Sequence, residues 1–139
     1  MINKTYLTKS EKETAQIAKQ IVDAMIKGKK RVVVFLEGEM GIGKTTFIRF
    51  ALKALGISED EFEGSPSFTL INQYKGNIYH MDLYRITEEE ELYHAGIYEF
   101  FSNEGIFFIE WPEKLNIKPD ITIKFKETLN WREIDVCQW

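Results

Sequence analysis

Residues 32–45 read Val-Val-Val-Phe-Leu-Glu-Gly-Glu-Met-Gly-Ile-Gly-Lys-Thr. The run Val32–Leu36 is apolar without alternation, the pattern of a strand buried on both faces of a parallel sheet. Gly38 to Thr45 then matches G-x-x-x-x-G-K-[ST]. Glycines permit backbone angles closed to other residues and let amides approach phosphate closely. Successive N–H groups form an anion-binding nest, helped by the positive end of the following helix. Lys44 supplies a mobile cation for the β- and γ-phosphates, and the Thr45 hydroxyl is the expected Mg²⁺ ligand. Phe47, Ile48, Ala51, Leu52 and Leu55 give that helix an apolar face, and Gly56 ends it. A strand before the motif and an amphipathic helix after it favour a phosphate loop over a glycine-rich turn beside an exposed lysine.

Upstream, residues 3–7 read as a short strand. Ser10-Glu11-Lys12-Glu13 has the form of a capping box, opening a helix with Ile17, Ala18, Ile21, Val22 and Met25 at helical spacing and Gly28 at its end. Downstream, 57–65 is an acidic, polar loop. Residues 68–74 and 78–82 read as two strands about the turn Lys75-Gly76-Asn77. Thr87-Glu88-Glu89-Glu90 resembles a second capping box, before a helix bearing Leu92; Ile97, Phe100 and Phe101 form another helical face. Ile106–Ile109 is a short apolar strand ending at Glu110, and Trp111-Pro112 breaks it. Residues 121–125 and 131–136 alternate apolar and polar and read as a closing antiparallel hairpin, with 127–130 between them. The fold class is therefore α/β: a single domain over 1–139 of P-loop NTPase type, with a mixed, mainly parallel sheet flanked by helices and antiparallel hairpins.

Composition agrees with one globular domain. The chain has 139 residues, 44% of them hydrophobic and 29% charged. Its net charge of −4, from 18 Lys+Arg against 22 Asp+Glu, argues against broad electrostatic binding of nucleic acid. Cys137 is the only cysteine, so no internal disulfide forms, as in a reducing compartment. The first residues do not read as a signal peptide, and no apolar run approaches membrane-spanning length. A cytoplasmic chain without membrane contact is expected.

P-loop proteins commonly set a carboxylate at the end of a neighbouring apolar strand to hold Mg²⁺ or its water. Glu110 has that position. Trp111 beside it either packs in the core or faces a partner. Asp82 ends the other short strand, in His80-Met81-Asp82-Leu83-Tyr84-Arg85, where a carboxylate can orient water. Arg85 can neutralise phosphate or pair with Asp82 or Glu90. Taken alone, His80 reads as a structural histidine. Ser65-Pro66-Ser67-Phe68-Thr69 reads equally as a switch reaching the γ-phosphate or as a turn into a strand.

Several separated motifs then agree. The chain resembles the TsaE (YjeE) family in G-E-M-G-I-G-K-T-T-F at 38–47, S-P-S-F-T-L at 65–70, H-M-D-L-Y-R at 80–85, E-L at 91–92 with Gly96, and I-E-W-P-E at 109–113. The resemblance implies a Mg²⁺-dependent ATPase working with TsaB and TsaD to threonylcarbamoylate adenosine 37 of tRNA, which it meets only through that complex. It implies ATP contacts from the loop residues Gly38, Glu39, Met40, Gly41, Ile42, Gly43, Lys44, Thr45 and Thr46. Lys44, Asp82 and Glu110 take catalytic roles, with Mg²⁺ held by Thr45 and Glu110. Ser65 and Ser67 reach the nucleotide from a switch-like loop, and Pro66, Phe68, Tyr84, Arg85 and Trp111 serve the switch or a partner. Glu11 and Arg132 stand where the family contacts the nucleotide side. Ser67 departs from the family's usual S-P-T-[FY]; the hydroxyl survives and the threonine methyl does not.

Two other functions stay open at this point. A small-molecule kinase shares the loop but needs an acceptor pocket and usually an arginine-bearing lid, whereas residues 57–65 are acidic. A nucleotide-sensing interaction module would order the switch on triphosphate with negligible turnover. A GTPase is disfavoured, because no N-K-x-D motif occurs and Asn116-Ile117-Lys118-Pro119 does not supply one. No residue reads adenine unambiguously.

Overall fold

The computed structural model describes residues 2–39, 43–129 and 131–139. Strand β1 (Ile2–Thr8) leads into helix α1 (Glu11–Ile21), which widens into a π-helical turn over Val22–Ile26. Next come β2 (Arg31–Glu37), α2 (Lys44–Ala54), the hairpin strands β3 (Ile71–Tyr74) and β4 (Ile78–Asp82), and the short helices α3 (Glu89–His94) and α4 (Ile97–Phe100). Strand β5 (Gly105–Glu110), a 3₁₀ turn at Pro112–Lys114, and the hairpin β6 (Ile121–Glu127) and β7 (Arg132–Gln138) complete the chain.

The seven strands form one mixed sheet in the order β1-β7-β6-β2-β5-β4-β3. Its centre is parallel, β6 with β2, β2 with β5 and β5 with β4. Antiparallel pairs close the margins, β3 with β4 on one side and β6, β7 and β1 on the other. The unbroken apolar run at 32–36 is explained by cover on both faces. Val32, Val34 and Leu36 join the core with α1 and α2, through Ala18, Ile21, Phe47 and Ile48. Val33 and Phe35 join the opposite core with α3 and α4, through Leu92 and Ile97. Phe47 and Phe108, both fully buried on the α2 side, each contribute about 2–3 kcal/mol by leaving water. Among the described residues, no helix is long and apolar enough to cross a membrane.

Three local expectations need correction. The strand expected from residue 68 begins at Ile71. Pro66–Leu70 is instead a turn, closed by the Leu70 N–H donating to the Pro66 carbonyl at 2.8 Å, with Leu70 at φ 72°. The Thr87 capping box does not form: Glu88 precedes α3 without a side-chain cap, and the Thr87 hydroxyl donates to Glu91. At α1, Ser10 caps the Glu13 N–H as expected, but the Glu13 carboxylate reaches past it to the Lys9 N–H.

Candidate functional site

The register of the parallel strands assembles the site. Across β4 and β5, Asp82 stands opposite Glu110; across β2 and β5, Leu36 stands opposite Glu110. The carboxyl ends of three adjacent parallel strands therefore meet. The chain leaves β2 toward α2 on one face and β4 toward α3 on the other, which opens a crevice of the kind where ligands settle in such sheets. Here it is a cavity of about 350 Å³, lined by Lys44, Thr45, Ser65, Asp82, Glu110 and Trp111 among others. Gly43, Thr46, Ser67 and Tyr84 also reach it.

Gly43 leads into α2 at φ 91°, a conformation that favours glycine. Gly38 has φ 149°, and a Cβ there would lie 2.9 Å from the Phe125 carbonyl oxygen. Both glycines are needed for steric reasons before any phosphate is considered. Glu39 is exposed, while Met40, Gly41 and Ile42 lie outside the described residues.

Lys44 is only 3% exposed. Its ammonium donates to the Gly38 carbonyl at 2.7 Å and rests 3.7 Å from the centre of the Trp111 ring. Burial pushes its pKa below the usual lysine value, against the opposing pull of Glu110 and Asp82. Trp111 holds the left-handed angles φ 56° and ψ 59°, a costly conformation for a non-glycine residue, and its ring leans on Tyr84 at 5.0 Å. Trp111 is thus not fully packed in the core: it is a half-buried ring against the loop lysine.

The Thr45 hydroxyl lies 3.3 Å from each oxygen of Glu110, itself buried. His80 Nε2 is 2.7 Å from Glu110 Oε2. The Ser65 hydroxyl donates to Asp82 and lies 3.5 Å from Glu110 Oε2. Asp82 also accepts the Tyr84 backbone N–H at 3.0 Å. Hydroxyl and carboxylate oxygens are the donors Mg²⁺ takes, usually with waters and phosphate completing its shell. Among the described residues no Lys or Arg forms a close ion pair with Glu110, so the donor set fits that ion.

The remaining expected residues fall in two groups. Phe68 is 81% exposed, with the Arg85 guanidinium 4.1 Å above its ring, so Arg85 pairs with neither Asp82 nor Glu90. Buried Pro66 anchors the turn beneath them. Glu11 and Arg132 lie outside the main crevice. They share a second cavity of about 240 Å³ with Ser10, Thr128 and Trp131. The two cavities adjoin, because a Cβ on Gly43 would meet Arg132 Nη1 at 2.7 Å. Glu11 also pairs with Arg49 at 3.6 Å. The residue that sequence reasoning undervalued is His80; its partner is 30 positions away, and only the β4–β5 register reveals it.

Fold and site together define the class, an α/β domain of P-loop NTPase type. The family model described as "Threonylcarbamoyl adenosine biosynthesis protein TsaE" matches residues 8–134. Relatives named tRNA threonylcarbamoyladenosine biosynthesis protein TsaE include one from Aquifex aeolicus, 37% identical over 114 residues, covering 80% of this chain and 78% of the relative. One from Haemophilus influenzae is 42% identical over 88 residues, 61% of this chain and 54% of the relative. The crystal structure of YdiB from Bacillus subtilis superposes with a TM-score of 0.76 at 28% identity, covering 99% of this chain and 86% of that one. The chain belongs to the TsaE family.

Proposed function

We propose that this chain is a Mg²⁺-dependent ATPase of tRNA threonylcarbamoyladenosine biosynthesis, acting with TsaB and TsaD on the modification of adenosine 37. The observation that carries the reading is the meeting of Lys44, Thr45, Asp82 and Glu110 in one crevice beside the phosphate loop. Lys44 must leave the Gly38 carbonyl and the Trp111 ring to meet the terminal phosphates. Thr45 and Glu110 would hold Mg²⁺, which when bound neutralises charge on the phosphate oxygens. Asp82 orients the attacking water. Ser65, already bonded to Asp82, ties the Ser65–Phe68 loop to the state of the site. Glu11 and Arg132 serve the nucleotide end remote from the γ-phosphate. Membership in the TsaE family supports a partnership with TsaB and TsaD in the cytoplasm, with tRNA met only through the complex. Exposed Phe68, Tyr84 and Arg85, beside the crevice, supply the residue types that dominate partner surfaces.

The test is ATP hydrolysis by the purified chain, alone and with TsaB and TsaD, with complex formation read in the same samples under ATP, ADP and a non-hydrolysable analogue. Lys44→Ala is expected to reduce hydrolysis by about 10²-fold or more, as loss of a charge-stabilising group does. Normal hydrolysis by Lys44→Ala would refute the assignment. Transfer of γ-phosphate to a small molecule would make the chain a kinase. Repeated modification cycles with the analogue would make it a sensing module.

A further inference from the structure

His80 is fully buried, and the only hydrogen bond of its side chain among the described residues is the 2.7 Å contact from Nε2 to Glu110 Oε2. Its other ring nitrogen, Nδ1, has no partner there. A phenylalanine or leucine would fill the same space without leaving a buried polar atom unsatisfied, which costs about 1–3 kcal/mol. An imidazole at this point is therefore poorly explained by packing.

The surroundings say what it does. His80 and Asp82 lie two residues apart on β4 and share a face. His80 pairs with Phe108 and Asp82 with Glu110, which sets the imidazole diagonally below the carboxylate. The other side chains hydrogen-bonded to Glu110 among the described residues are hydroxyls at 3.3–3.5 Å, so His80 makes its shortest side-chain bond. The Phe62 ring lies nearly parallel to the imidazole, 9° from coplanar at 6.4 Å, and backs it from the loop that carries Ser65. Because a carboxylate only accepts, Nε2 carries the proton in this bond.

We propose that His80 is a positioning residue: its Nε2–H holds Glu110 Oε2 and turns the carboxylate so that Oε1 is left for the ion bound with Thr45. The inference rests on the Mg²⁺·ATP reading above. Partners of this kind typically change metal affinity by about 10–100-fold.

The experiment compares His80→Gln with His80→Met, two unbranched side chains of similar volume of which only glutamine can donate to Oε2. Calorimetry gives ATP affinity in EDTA and the half-saturating Mg²⁺ in the presence of ATP. The expected result is a Mg²⁺ requirement raised about 10-fold or more in His80→Met and within about 3-fold of the parent in His80→Gln, as for loss and rescue of an outer-shell donor. ATP affinity in EDTA should stay unchanged in both. Equal Mg²⁺ requirements in the parent and His80→Met, or equal rises in both variants, overturn the inference. Should His80→Met not fold, ¹⁵N spectra of the unmodified chain decide. With only two histidines to assign, a protonated Nε2 and a bare Nδ1 on His80 support it, and a bare Nε2 overturns it. A parent that binds ATP neither with nor without Mg²⁺ refutes the functional reading itself, and the inference with it.

Discussion

Asp82 accepts from the Ser65 hydroxyl with one oxygen and from the Tyr84 N–H with the other. Asp82→Asn keeps an amide oxygen for the Tyr84 N–H, so the fold should survive. The lost charge should cut ATP turnover by about 10²-fold or more while ATP affinity moves little, as for removal of a group that handles a proton. Parallel measurement of kcat and of Kd for ATP checks this; an unchanged kcat removes Asp82 from the chemistry. At this scale the sequence reveals those groups whose position follows from a local pattern. Lys44 and Thr45 follow from glycine spacing, and Glu110 and Asp82 from standing at the ends of short apolar strands. His80 and the Lys44–Trp111 contact do not, because each depends on a neighbour brought in by sheet pairing or by a left-handed turn.

At the scale of elements, the late start of β3 has a specific cause. Phe68–Leu70 has strand-like composition, yet the chain turns there: the Leu70 N–H is taken by the Pro66 carbonyl, with Leu70 at φ 72°, and only the Leu70 carbonyl continues the β3–β4 ladder, to the Asp82 N–H at 3.0 Å. That turn overrides local preference, and Ser65 and Ser67 line the crevice beside it. The β6–β7 hairpin was legible because alternation and turn residues are local signals. Gly105 illustrates what holds the central strands. It starts β5 at φ 156°, and a Cβ there would lie 2.5 Å from the Asn77 carbonyl oxygen, which accepts the Ile106 N–H. Gly105→Ala should therefore lower stability by about 3 kcal/mol in denaturant unfolding. A loss below about 1 kcal/mol, the size of an ordinary surface change, would show that the β4–β5 start is not tightly fitted.

For the whole molecule, the sequence indicated a parallel centre and antiparallel margins but not the order β1-β7-β6-β2-β5-β4-β3. Buried runs show that a strand is covered on both faces, and carry no label for its neighbours. The pairing of β1 with β7 joins the two ends of the described chain, a contact no local pattern can encode. Since the crevice draws on β2, β4 and β5 at once, a ligand seated there should stabilise the fold as a unit. Mg²⁺·ATP at about 100 times its Kd should add about 2.7 kcal/mol. For a domain of this size that is a rise in Tm of roughly 8 °C. Lys44→Ala should show little of the rise, and an unchanged Tm in the parent would count against nucleotide binding.

Lys44 does not wait in open water for its anion. It is already occupied, one N–H donated to a loop carbonyl and its charge laid against an indole face. On the proposed reading, an incoming nucleotide would have to outcompete that resting arrangement, at a cost to its affinity. On the proposed ATPase reading, the product would face the same rival, and its release would be helped by Lys44 returning to that carbonyl and ring.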